Sequence, residues 1–232
     1  MLSKLKVELK SLANKEQAHI LQRFFKTSKG EYGEGDIFLG LNSQQIKEIV
    51  KAYDDLDLKE IQELLNSKIH EHRICGIRIL VSKYNKLENK KQIFDFYIKN
   101  SKRINNWDLV DLSAPNIVGD YLLDKPRDIL HILAKSSNLW EKRIAIISTY
   151  TFIKNNQFDD TLEISKILLS DSHDLIHKAV GWMLREVGKK DQKILEEFLI
   201  EYYKKIPRTT LRYAIERFVE KKRKRFLLGE FN

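Results

Sequence analysis

An apolar period of 3.6 residues runs along almost the whole of this 232-residue chain, and it narrows the possible folds more than any other feature. The pattern recurs in segments of about ten to seventeen residues. Alternating β-branched runs are absent, and three prolines are too few to break the pattern often. Start signals recur with it: Asn42 with Gln45, Asp57 with Glu60, and Asp160 with Glu163 each fit an N-cap and its capping-box partner. Pro207 suits a first helical position and predicts a helix over 208–221. Asn85, Asn100 and the pair Asn155, Asn156 read as stops. The outcome is about a dozen helices joined by short loops. Helix pairs begin near Ser43, Ile69, Asn105, Leu139 and Asp174, about 26–36 residues apart, a rhythm close to that of degenerate HEAT-type repeats. The expectation is an all-α, HEAT-like repeat α-solenoid of stacked antiparallel helix pairs. It would form one domain over residues 1–232, with a concave basic face suited to a rod-shaped ligand. A single compact bundle is the alternative.

Residues 27–36, TSKGEYGEGD, interrupt the rhythm. A phosphate cradle is excluded on chemistry: no Gly-Lys-Ser/Thr ending follows, and Glu31, Glu34 and Asp36 would repel an anion. A flexible surface loop is expected.

Charge points to the partner. Forty-two Lys and Arg against thirty-three Asp and Glu leave +9, which favours a polyanion. Cys75 stands alone, so no intrachain disulfide can form and a reducing compartment is expected. No apolar run approaches the ~18–20 residues that span a membrane. The N-terminus alternates charged and apolar residues and lacks the apolar stretch of a signal peptide. A cytoplasmic protein without a membrane association is expected.

Several residues stand out from the helical pattern. Trp107 and Asp111, four apart in RINNWDLVDLSAPNIVGDY, share one face of a turn. An indole beside a carboxylate can stack on a sugar and stabilise positive charge next to it. Over Asp174–Lys190, Ile176, Ala179, Val180, Met183 and Val187 form an apolar stripe, while Lys178, Trp182, Arg185 and Lys189 fall on the opposite face. The bland alternative packs Trp182 against a neighbouring helix pair under the basic stems. Arg143 interrupts an apolar helix over 139–153 and needs either a carboxylate or a phosphate. For Asp111 the competing role is a helix cap or ion pair. His173 and His177 have a metal-ligand spacing, but no HExxH, cysteine cluster or carboxylate pair completes a set, and His70 and His72 fare no better. No metal and no cofactor are expected. Cys75, inside ICGIRIL, reads as a small buried hydrophobe.

NNWDLVD, LWEKRIAI and HKAVGWMLRE, in that order and spacing, resemble the DNA alkylation repair family of HEAT-like repeat glycosylases. The resemblance extends from about Phe38 to Phe218. It implies that Asp111, Trp107 and Trp182 form a lesion-site cleft and that Arg143 contacts the DNA backbone. Lys142, Lys178, Arg185, Lys189, Arg208 and Arg212 extend that expected DNA-binding set. It also implies a monomer that excises N3- and N7-alkylated purines from double-stranded DNA. The chemistry suits a lone acid. Most glycoside hydrolysis needs two carboxylates, but a cationic purine leaves as a neutral base, so one carboxylate suffices to stabilise the oxocarbenium-like sugar. The family resembled needs no pocket for an extruded base, and no base-reading motif is found here. One departure is the N-terminal region, where Phe24 and Phe25 precede the acidic Gly-rich stretch in place of a clear groove-inserting helix. Loss of excision would leave a non-catalytic binder of damaged or branched DNA, and a helical protein scaffold is the third class.

Overall fold

The computed structural model describes residues 1–86 and 89–231. Among the described residues the regular structure is helical, apart from one isolated bridge between Ile37 and Ile69. The helix-after-helix order is that of a HEAT-like repeat α-solenoid. None of these helices is long and apolar enough to cross a membrane. The chain divides into two compact units, 1–113 and 114–232.

The first unit holds α1 (Leu2–Ser11), α2 (Lys15–Phe24), α3 (Ser43–Ala52), α4 (Leu58–Leu65), α5 (His70–Lys86), α6 (Lys90–Lys99) and α7 (Trp107–Ser113). Both expected capping boxes close, with Asn42 and Gln45 at α3 and Asp57 and Glu60 at α4. Helix α5 is the hub, packing on α1, α3, α4, α6 and α7. Its first turn is unusual, because His70, Glu71, His72 and Arg73 are all buried. The Glu71 carboxylate repays its burial by accepting the backbone amides of Leu39 (2.9 Å), Gly40 (2.8 Å) and Leu41 (3.3 Å). That clamp holds the stretch before α3 against α5. Gly40 has φ +90, and a Cβ there would lie 2.1 Å from the Asn14 carbonyl oxygen.

Residues 27–36 are not a loose loop. Gly30 and Gly35 take φ +82 and +83, and the Glu31 and Glu34 carboxylates accept the amides of Ser28 (3.0 Å) and Gly30 (2.8 Å). Asp36 is 8 % exposed and bonded to Arg73 at 2.5 Å, so the expectation of a surface acid is corrected. A buried guanidinium drew it inward.

The second unit holds a π-helical turn (Ala114–Gly119), α8 (Asp128–Ala134), α9 (Leu139–Lys154), α10 (Asp159–Leu168), α11 (Asp174–Lys190), α12 (Gln192–Tyr202), α13 (Arg208–Ala214) and α14 (Glu220–Leu228). Helix α9 packs on the π turn, α8, α10 and α11, and α11 packs on α12 and α13. Two local expectations are corrected. Helix α10 begins at Asp159 after Phe158, and Asp160 caps nothing; it pairs with Arg127 at 2.5 Å. Arg127 in turn lies over the Phe152 ring at 3.8 Å, so a tertiary contact claimed the carboxylate. Pro207 is the N-cap of α13 rather than its first residue, and the helix expected over 208–221 ends at Ala214. The chain bends there so that the buried Phe218 can pack edge-on against Phe226.

Gly181 is where α11 and α13 come closest: a Cβ would sit 2.5 Å from the Tyr213 Cβ and 2.7 Å from the Thr210 carbonyl oxygen. Gly181→Ala should therefore destabilise the protein by about 1–3 kcal/mol through overpacking. Urea unfolding would show it as a lower midpoint at an unchanged slope.

Candidate functional site

Helix α7 is anchored from below. Leu109 and Val110 are fully buried, the Ser113 hydroxyl donates to the Leu109 carbonyl at 2.6 Å, and Tyr97 Oη lies 2.9 Å from Ser113 Oγ. Burial first, and then the charge of Asp111, raise the Tyr97 phenol above its ordinary value. Asp111 itself is half-buried, as is Trp107 one turn before it.

A ladder of rings holds Trp107. Its indole stacks on Phe25 at 5.2 Å and 15°, with Phe24 edge-on at 5.9 Å. Phe25 stacks on Phe38 at 5.0 Å, and Phe38 on His70 at 4.6 Å. His70 Nε2 donates to Asp108 Oδ2 at 2.8 Å, and its Nδ1 lies 3.8 Å from Asp36. Burial would push this imidazole down, but Asp108 and Asp36 outweigh it and Arg73, raising the pKa to about 9. The imidazolium also lies against the Phe38 ring, a cation–π contact. Beneath the ladder is a cavity of about 280 Å³ lined by Leu21, Ile46, Ile74, Arg78 and Leu112 among others.

His70, Asp108, Phe25 and Phe38 were missed as site residues. The polarity of residues 70–73 was the one local signal, but in the sequence His70 and His72 stood out only as an incomplete metal-ligand pair.

In the second unit the expected stripe of α11 is buried from Ile176 to Val187, and Trp182 is half-buried with its ring 6.1 Å from Tyr150. The nominated cations mostly have partners of their own. Lys178 pairs with Asp174 at 2.7 Å, Lys189 with Glu186 at 2.7 Å, Arg185 with Glu186 and Glu216, and Lys142 with Asp171. The Asp171 carboxyl lies below its ordinary value: burial opposes ionisation, but the Lys142 hydrogen bond and further contacts outweigh it. Arg143 is 5 % exposed and donates to the Leu175 carbonyl at 2.7 Å. Arg208 donates to the Leu227 carbonyl at 2.7 Å, and Arg212 is exposed. Partly exposed ion pairs are worth about 0–1 kcal/mol, so such a cation can trade a carboxylate for a phosphate.

The histidines have structural tasks. His173 caps α11 by accepting the Leu175 amide, burial holding its imidazole low, and His177 Nε2 donates to the Asp171 carbonyl. Among the described residues no group of three His, Cys, Asp or Glu side chains could hold a metal ion. Cys75 is buried, and that burial pushes its thiol up to about 12.

His70 gives a pH test. Its folded pKa lies above the unfolded value of about 6.5. The stabilisation it contributes is complete below that value and is lost as pH rises through about 9. Imidazole resonances of His70 should titrate near pH 9, and Asp108→Asn should move the midpoint several tenths of a unit or more downward. A His70 midpoint near 6.5 in the wild type would show the pair to be absent.

A family model described as DNA alkylation repair enzyme matches residues 5–218. Among solved structures, the fold is similar to that of a predicted DNA alkylation repair enzyme from Enterococcus faecalis, with a TM-score of 0.69 and 15 % identity over 90 % of this chain and 97 % of that one. No curated protein matches the sequence.

Proposed function

Because the chain belongs to the DNA alkylation repair enzyme family, we propose that it is a DNA glycosylase that hydrolyses the N-glycosidic bond of cationic N3- or N7-alkylpurines in double-stranded DNA. The observation that carries this reading is the pairing of Asp111 with an indole whose orientation is set by the ladder: Trp107 is stacked on Phe25, one turn from the carboxylate. As the glycosidic bond lengthens, positive charge moves from the base onto the sugar. A fixed carboxylate lowers the energy of that charge and can orient the attacking water. The base leaves neutral, so no general acid is required; the family resemblance implies that no pocket for an extruded base is required either. The family resemblance adds Trp182 as a second indole. It adds Arg143, with Lys142, Lys178, Arg185, Lys189, Arg208 and Arg212, as candidates for backbone contacts.

One observation favours a second reading, a non-catalytic binder of damaged or branched DNA. Phe25 already covers one face of Trp107, leaving at most the other for a nucleotide.

Excision of N7-methylguanine from a duplex separates the two. Asp111→Asn keeps side-chain size and removes the charge, so the rate should fall ~10²–10³-fold while DNA affinity stays equal or rises slightly. Trp107→Ala should lower both rate and lesion preference. Wild-type protein without excision above background would leave the binder reading.

Substrate charge gives an independent check. N3-methyladenine should be released, whereas uracil and 8-oxoguanine, both neutral, should stay in place. Efficient release of either neutral base would require a general acid and sink the single-carboxylate mechanism.

A further inference from the structure

We propose that a polar cleft in the first unit binds a backbone phosphate of DNA, held by Lys68, Arg103 and the Nε of Arg73; the proposal rests on DNA being the partner. The cleft measures about 530 Å³, and Glu34, Asp36 and Asn105 also line it. The chemistry of each group points to an anion. Arg73 is 2 % exposed and uses Nη1 on the Ser67 carbonyl (2.9 Å) and Nη2 on Asp36 (2.5 Å), but its Nε is buried with no hydrogen-bond partner. A buried donor left over in this way calls for an acceptor from outside. Lys68 and Arg103 are exposed, and among the described residues neither side chain has an ion-pair or hydrogen-bond partner. The two acids do not cancel them. Asp36 already faces Arg73 and His70, and Glu34 accepts the Gly30 amide.

This distinguishes the cleft from the cations named by the sequence, most of which are engaged by acids or carbonyls of their own unit. Asn105 also lines the cleft and lies two residues before Trp107, with its buried Oδ1 unpartnered. Turning that amide by 180° would offer a donor in place of the acceptor.

Binding of an undamaged duplex, measured over a salt series, tests this. Lys68→Ala/Arg103→Ala should reduce the slope of log affinity against log salt by about 0.9, the value for one phosphate, and weaken binding about fivefold near 0.15 M salt. Lys47→Ala/Lys59→Ala removes the same charge from exposed sites outside the cleft and should leave the slope unchanged. A wild-type slope in the cleft variant overturns the proposal, and so does an equal loss in the control pair, which would reveal net charge alone. Inorganic phosphate at fixed ionic strength should not displace the duplex; displacement that the cleft variant abolishes would mark a site for free phosphate instead. A wild type that fails to bind DNA at all defeats the underlying reading, whereas lost excision with an intact salt response leaves the cleft standing.

Discussion

Removing an ionised imidazole from water costs several kcal/mol unless opposite charge and hydrogen bonds replace the lost hydration. His70 is 4 % exposed and protonated at neutral pH, and the first unit is arranged to supply both. Asp108 comes from α7, Asp36 from the turn after α2, and the Phe38 ring from the stretch before α3. Next to it Glu71 gathers three backbone amides of that same stretch. One helical turn of α5 thus ties α7 to the irregular stretch between α2 and α3. Because Asp108 follows Trp107 directly, the electrostatic clamp and the aromatic ladder fix the same end of α7.

What could be read from the chain was whatever depended on near neighbours. Helix α3 begins at Ser43, α9 at Leu139 and α11 at Asp174, as the periodicity requires, and Asn42 and Asp57 cap because their partners are three residues away. The stripe of α11 was legible for the same reason. Asp160 carried an identical capping signal and failed, since Arg127 offered a stronger partner than a backbone amide. The run His70–Arg73 could not be read as a site because nothing local says that Asp36, Asp108 and three loop amides converge on it. The stack of Phe25 on Trp107 is likewise a product of tertiary folding, invisible to any window of helical length.

Net charge says that a polyanion is favoured but not where on the molecule it would sit. An excess of nine positive charges describes the whole molecule, yet the basic face of α11 is laced with Asp174, Glu186 and Glu216. What matters for a phosphate is the exchange it offers a cation. A lysine already paired gains only the difference between two anions, while one facing water gains the whole contact. Composition counts both alike.

Helix α2 contains no fully buried residue, and Phe24 at its end is 61 % exposed. Phe25, the ring just beyond its last turn, is buried between Phe38 and Trp107. Segments with so few buried contacts open locally at a fraction of the global unfolding free energy. Were α2 to open in this way, Phe25 would leave with it and Trp107 would lose its cover. A ligand that prefers the uncovered indole draws on that opening, and its apparent affinity is reduced by the population it must wait for.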